Sequence, residues 1–159
     1  MKQRDGSYVT QDKLFIEADP EQIYRVLVDF NNRHLWWKGN RAKLLNGEEP
    51  REGSYVTVHT RQWIFPIRFL MRIQMLEIPR LIRLEVERGP IRGFCEWHVE
   101  PREKGAIVRL VWRNVYPSGL PAKWTFAVSG DRKHSQHAVA GLAGLKAYLS
   151  SDRFQKRTA

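Results

Sequence analysis

Carboxylates are the first residues to weigh for chemistry. Glu85, Glu87, Glu96 and Glu100 alternate with apolar residues between Ile82 and Val99. Paired carboxylates do acid–base work when they share a cleft whose environment separates their pKa values. A period of two instead places all four on one side of their strands, opposite the apolar side. They are expected on a solvated outer sheet face. Of the five histidines, His134 and His137 stand one helical turn apart, close enough to share an ion. Only Asp131 accompanies them and no His-Glu-x-x-His frame surrounds them, so no metal site is expected. Both read as helix-start histidines, with His137 placed to line an interior. Cys95, between Gly93 and Trp97, lacks an evident base and reads as a small buried hydrophobe. There is no Gly-x-Ser-x-Gly and no phosphate-binding glycine loop. No catalytic residue and no cofactor are assigned.

Charge is the one oddity of composition. Lys and Arg number 27 against 17 Asp and Glu, a net charge of +10. Such a balance suits nucleic acid, an anionic membrane, an acidic ligand or plain solubility. The cations Arg61, Arg68, Arg72, Arg80, Arg83, Arg88 and Arg92 are dispersed and form no recognition module, so specific nucleic-acid binding is not expected. Weak contact with an anionic membrane fits better, with Trp36-Trp37-Lys38 as an interfacial foot. A single cysteine excludes an intrachain disulfide and a cysteine-based zinc site within one chain. No apolar run approaches the ~20 residues that span a bilayer. The first residues carry charges with no apolar core behind them, unlike a signal peptide. A cytoplasmic protein is expected. The 159 residues suit a single domain, 1–159.

Elements must position these groups. Asp19-Pro20-Glu21-Gln22 opens a helix. Asp caps it, and Pro costs nothing at its first position. Glu21 meets the positive end of the dipole, and Gln22 completes a capping box. Ile23, Val26, Leu27 and Phe30 then recur at helical spacing, which predicts a helix from Pro20 to about Phe30. A second short helix follows over Asn32–Lys38, and Ser7–Glu17 reads as a strand. From Gly39 to Tyr116, turns at Asn46-Gly47, Pro50–Gly53, Ile78-Pro79-Arg80, Gly89-Pro90 and Pro101–Gly105 punctuate alternating segments, the mark of an antiparallel meander. Ile67, Phe69, Met71, Ile73 and Met75 share a face. So do Ile82, Leu84 and Val86, then Ile91, Cys95, Trp97 and Val99. Val108, Leu110 and Trp112 form a last face, which Asn114 and Tyr116 continue. Pro117–Gly130 reads as a connection. Asp131–Arg153 lacks proline and carries His134, Ala138, Gly141, Leu142, Leu145, Tyr148 and Leu149 on one side, a helix of about 34 Å.

One long helix buries one face of a twisted sheet when the sheet wraps around it. The expected fold is therefore α+β of the helix-grip kind. A curved antiparallel sheet of about seven strands holds a long C-terminal helix, with two short helices after the first strand.

Ile16-Glu17-Ala18-Asp19-Pro20-Glu21-Gln22-Ile23-Tyr24, then Asp29 and Trp36 or Trp37, resembles the opening of START/SRPBCC proteins. His137 followed by Gly141-Leu142-Ala143-Gly144-Leu145-Lys146-Ala147-Tyr148-Leu149 is similar to their ending. Gly93–Pro101 and Gly105–Val111 look like their late hairpin. The superfamily includes birch-pollen allergens, lipid-transfer domains and polyketide cyclase/dehydrase-like proteins. The resemblance implies a hydrophobic cavity between sheet and last helix, and no single function.

The expected function is binding or carrying of an apolar or amphipathic small molecule: a lipid, sterol, quinone or polyketide-like compound. Its rivals are a cyclase/dehydrase-like enzyme and an adaptor that uses the basic surface. The candidate wall is Phe69, Met71, Ile73, Leu84, Cys95, Trp97, Leu110 and Trp112. Leu142, Leu145 and Tyr148 face it, Val26 and Phe30 close one end, and Asn114, Tyr116 and His137 orient the ligand. Small Gly141 is expected to leave room.

Overall fold

The computed structural model describes the chain except residues 1–2, 4–5, 46, 63–64, 152–153 and 155–159, and gives the backbone alone for 62, 65 and 120–134. Strand β1 (Tyr8–Ile16) leads into helix α1 (Pro20–Val28) and a 3₁₀ helix (Phe30–Leu35). Six strands follow: β2 (Asn40–Leu44), β3 (Tyr55–Gln62), β4 (Phe65–Glu77), β5 (Leu81–Arg88), β6 (Ile91–Arg102) and β7 (Gly105–Pro117). Helix α2 (Leu120–Leu149) ends the fold. The seven strands form one curled antiparallel sheet in the order β1-β7-β6-β5-β4-β3-β2. Consecutive strands pair as hairpins, while β1 returns to pair with β7. This is the helix-grip fold expected from the order of elements.

The start of α1 follows from its residue types. Asp19 Oδ1 accepts from the backbone N–H of Glu21 at 2.6 Å and of Gln22 at 3.4 Å, relieving two donors that the helix cannot pair. Ile23, Tyr24, Val26 and Leu27 form its buried face.

Helix α2 begins eleven residues before the expected Asp131 and ends at Leu149, short of Arg153, which lies outside the described residues. Pro121 and Gly119 suggested a loop. Pro121 stands instead in the first turn, where its missing N–H is harmless, and Gly119 adopts φ 95° as the residue before the helix. Thirty residues make a helix of about 45 Å.

Two bulges alter the faces that strict alternation predicts. In β4, Ile73 pairs with Leu84 but Met75 pairs with Arg83, so one residue is inserted. Met75 therefore leaves the apolar face and Leu76, opposite Ile82, joins it. In β7 the insertion lies at Asn114, whose φ is 51°. Thr10 pairs with Trp112 and Tyr8 with Val115 on one side, while Phe94 pairs with Arg113 and Arg92 with Tyr116 on the other. Asn114 and Tyr116 are exposed and Val115 is buried at 3%. They do not continue the inner face of Leu110 and Trp112. Gly93 makes the bulge possible, since a Cβ there would stand 2.7 Å from the Arg113 carbonyl and 2.8 Å from that of Asn114.

Candidate functional site

The concave face carries most of the expected wall. Cross-strand register places Ile73, Leu84, Cys95 and Trp112 in one row and Ile82, Trp97 and Leu110 in the next. Met71, Ile73, Leu84, Cys95, Trp97 and Leu110 are buried, as are Leu142 and Leu145 of α2. Val26 and Phe30 belong to the same buried cluster.

Trp36 and Trp37 sit inside this interior, at 5% and 6% exposure, and so make no membrane foot. They stack at 5.6 Å between centroids, and Trp97 stands edge-on to both at 6.0 and 5.8 Å. Helix α2 approaches this indole block through two glycines. A Cβ on Gly141 would lie 2.5 Å from Trp37 Cε2, and one on Gly144 would collide with the Trp36 carbonyl. Gly141 thus makes room for an indole and leaves no open space. The pair Trp36-Trp37 reads in sequence as an interfacial foot because Lys38 follows it; packing against α2 and Trp97 shows otherwise.

One turn earlier, α2 is tied to both limbs of the curled sheet. His137 Nε2 and Thr60 Oγ1 of β3 share a hydrogen bond of 2.9 Å. Ser135 donates to Asp12 of β1. Asp12 faces inward beside Leu110, in register with Thr10, Leu14 and Ile16. Burial holds the His137 pKa below 6.5, favouring the neutral ring. The Trp37 ring lies 5.0 Å from that imidazole. Asp12, Thr60 and Ser135 were absent from the expected site. An acid interrupting the apolar side of β1 was the available signal. The side chain of His134 lies outside the described residues.

A second unexpected residue is Arg33, buried at 5% exposure. Its guanidinium carbon is 5.1 Å from the Phe30 ring centroid and 6.0 Å from that of Trp36. Its Nε and Nη2 have no hydrogen-bond partner. Aromatic faces return about 2 kcal/mol to a desolvated cation. An unpaired buried ion costs several kcal/mol. Burial lowers the Arg33 pKa to about 10, and the Cys95 thiol is near enough for the two groups to bias each other. That thiol is itself pushed up to about 12 by burial, so it stays protonated. The indole N–H groups of Trp36, Trp37 and Trp97 and the Tyr24 hydroxyl are likewise buried without partners.

Beyond Cys95 the wall is less covered. Ile67, Phe69 and Trp112 are only half-buried, although they lie on the concave face. The Phe69 and Trp112 rings meet at 6.1 Å.

The outer face corrects another expectation. Glu96 is not solvated, with its side chain 2% exposed. Arg83 Nε donates to Oε1 at 2.9 Å, while His98 Nε2 and Arg113 Nε each donate to Oε2 at 2.9 Å. Burial opposes its ionisation. The bonds from His98 and Arg113, with the charges of Arg83 and Arg113, outweigh that and hold its pKa below 4.5. Glu100 pairs with Arg102 and Arg109, and Glu85 accepts from Gln74. Among the described residues no three His, Cys, Asp or Glu side chains gather as a metal site. No helix among them is long and apolar enough to cross a membrane.

A curled seven-stranded sheet gripping a long helix, with an apolar concave face, defines the class of birch-pollen-allergen-like helix-grip proteins. Residues 9–150 match the family described as polyketide cyclase / dehydrase and lipid transport, and the chain belongs to that family. Solved structures agree on the fold. A protein from Thermus thermophilus superposes with a TM-score of 0.77 at 17% identity, covering 91% of this chain and 100% of that one. Ginseng major latex-like protein 151 from Panax ginseng gives 0.71 at 13%, covering 91% and 99%. An aromatase/cyclase from Streptomyces sp. R1128 gives 0.70 at 14%, covering 96% of each. No curated protein matches the sequence significantly.

Proposed function

We propose that the chain is a single domain that binds an apolar or amphipathic small molecule between the sheet and α2. The supporting observation is the uneven packing of the concave face. At the level of Gly141 and Gly144 the interior is filled by indoles. At the level of Ile67, Phe69 and Trp112, large apolar side chains remain half-buried. An apolar guest there would complete their removal from water, at about 25 cal/mol per Å². Phe69, Met71, Cys95, Leu110 and Trp112 would form its wall. Family membership agrees, since the family spans lipid transport and cyclase/dehydrase proteins.

Native mass spectrometry of protein purified from cells, together with titration by the uncharged fluorophore N-phenyl-1-naphthylamine, tests this. Saturation near one probe per chain is expected, weakened by Phe69→Asp, which puts a carboxylate on the guest's wall. A wild type without saturable binding overturns the reading.

The His137–Thr60 pair supports a second reading, a cyclase/dehydrase-like activity in which the neutral imidazole moves a proton. Turnover of a reactive polyketide-like chain that is abolished in His137→Gln, with binding retained, would favour it.

A further inference from the structure

We propose that Arg33 receives the carboxylate of an amphipathic acid whose apolar body lies along Trp112 and Phe69. The inference rests on the apolar-guest reading and adds the chemical class of the guest. The unpartnered polar atoms of this interior are predominantly donors: Arg33 Nε and Nη2 and three indole N–H groups. Asn40 Oδ1 is an unpartnered acceptor but carries no charge. Nothing among the described residues neutralises the guanidinium. Cys95, its ionisable neighbour, stays a thiol. Glu96 follows Cys95 in sequence but lies on the opposite face, already bound by Arg83, His98 and Arg113. Nε and Nη2 share one edge of the guanidinium, a two-donor edge that matches the two oxygens of a carboxylate. The position suits a head group. Cys95 pairs across the sheet with Trp112, whose ring meets Phe69. Arg33 stands over Trp36, Trp36 meets Trp97, and Trp97 shares the inner face of β6 with Cys95, so this series of contacts leads from the indole block to the half-covered apolar wall. An acid there would supply the missing counter-charge and cover Trp112 and Phe69 together.

Displacement of N-phenyl-1-naphthylamine by dodecanoate and by methyl dodecanoate tests this, because the two share a chain and differ in charge. The wild type should bind dodecanoate about tenfold or more tightly than the ester. Arg33→Met should abolish that preference and leave ester affinity within about twofold, since the buried ion rather than the apolar wall is removed. Arg33→Lys, which keeps the charge without the fork, should retain part of it. Near-UV circular dichroism checks that the variants fold, and Arg33→Gln replaces Arg33→Met if the latter does not. Equal affinity of acid and ester in the wild type, or a preference that survives in Arg33→Met, overturns the assignment of Arg33 while the apolar interior stands. If neither compound displaces the probe, the inference falls; if the probe itself never saturates, the apolar-guest reading falls with it.

Discussion

Glu96 shows what a single carboxylate does when two guanidinium groups and an imidazole converge on it. It lies on the outer side of β6, where alternation alone suggests contact with water. Arg83, His98 and Arg113 fold over it instead, and their stems exclude solvent. Because its folded pKa lies below 4.5, its contribution to stability is complete above that value and is lost as the pH falls through the folded pKa. Glu96→Gln should cost about 2 kcal/mol at neutral pH, the scale of hydrogen bonds to a charged group. Arg83 and Arg113 are partly exposed and can regain water, which keeps the loss below that of a fully buried pair. Urea titrations across pH 3 to 7 should show this variant losing less stability than the wild type below about pH 4.5. A parallel acid limb in both proteins would assign the effect to other carboxylates.

At the scale of elements, α2 is held by three kinds of contact along its length. Leu142, Leu145 and Leu149 enter the core. Gly141 and Gly144 let the helix backbone close on the 3₁₀ segment and its indoles. Ser135 and His137 tie it to β1 and β3. The glycines reverse an ordinary propensity argument. Replacing glycine by alanine within a helix usually gains up to about 1 kcal/mol. At Gly141 the added methyl meets the Trp37 ring, which Trp36, Trp97 and His137 enclose. Overpacking of this kind costs about 1–3 kcal/mol, so Gly141→Ala should lower the melting temperature despite its better helix propensity. Gly144→Ala should be worse, because its methyl meets a backbone carbonyl rather than a ring. A Gly141→Ala variant as stable as the wild type would show that the block yields.

For the molecule as a whole, +10 is a net count from which every carboxylate is already subtracted, so ion pairing redistributes the charge and leaves the excess in place. Glu96 and Glu100 engage Arg83, Arg113, Arg102 and Arg109. The exposed cations Arg68, Arg72, Arg88 and Arg92 stand on several strands. Such a surface attracts polyanions without reading them. Affinity for duplex DNA should therefore be weak, independent of sequence, and fall by orders of magnitude between about 50 and 200 mM salt. Sequence-dependent binding that persists at 200 mM salt would make the surface, and not the interior, the place of function.

The order of elements was legible in the chain because each signal is local. A capped helix start, turn residues between alternating segments and a last apolar stripe depend on neighbours a few positions away. Those signals lead to the helix-grip fold, and most of the concave wall, from Met71 to Leu110, follows from period two. What escaped depended on contacts distant in sequence. The bulge at Asn114 turned Asn114 and Tyr116 outward, because Gly93 on the neighbouring strand admits the extra residue. Pro121 read as loop punctuation until the first turn of α2 absorbed it. Gly141 read as empty space, yet Trp37, over a hundred residues earlier, occupies it. Arg33 drew no reading from the sequence, and only the packing of the 3₁₀ helix, which sets its guanidinium over the Phe30 and Trp36 rings, placed its charge inside. Burial of a polar group is settled by whatever covers it, and here the cover comes from elements that the local sequence does not contain.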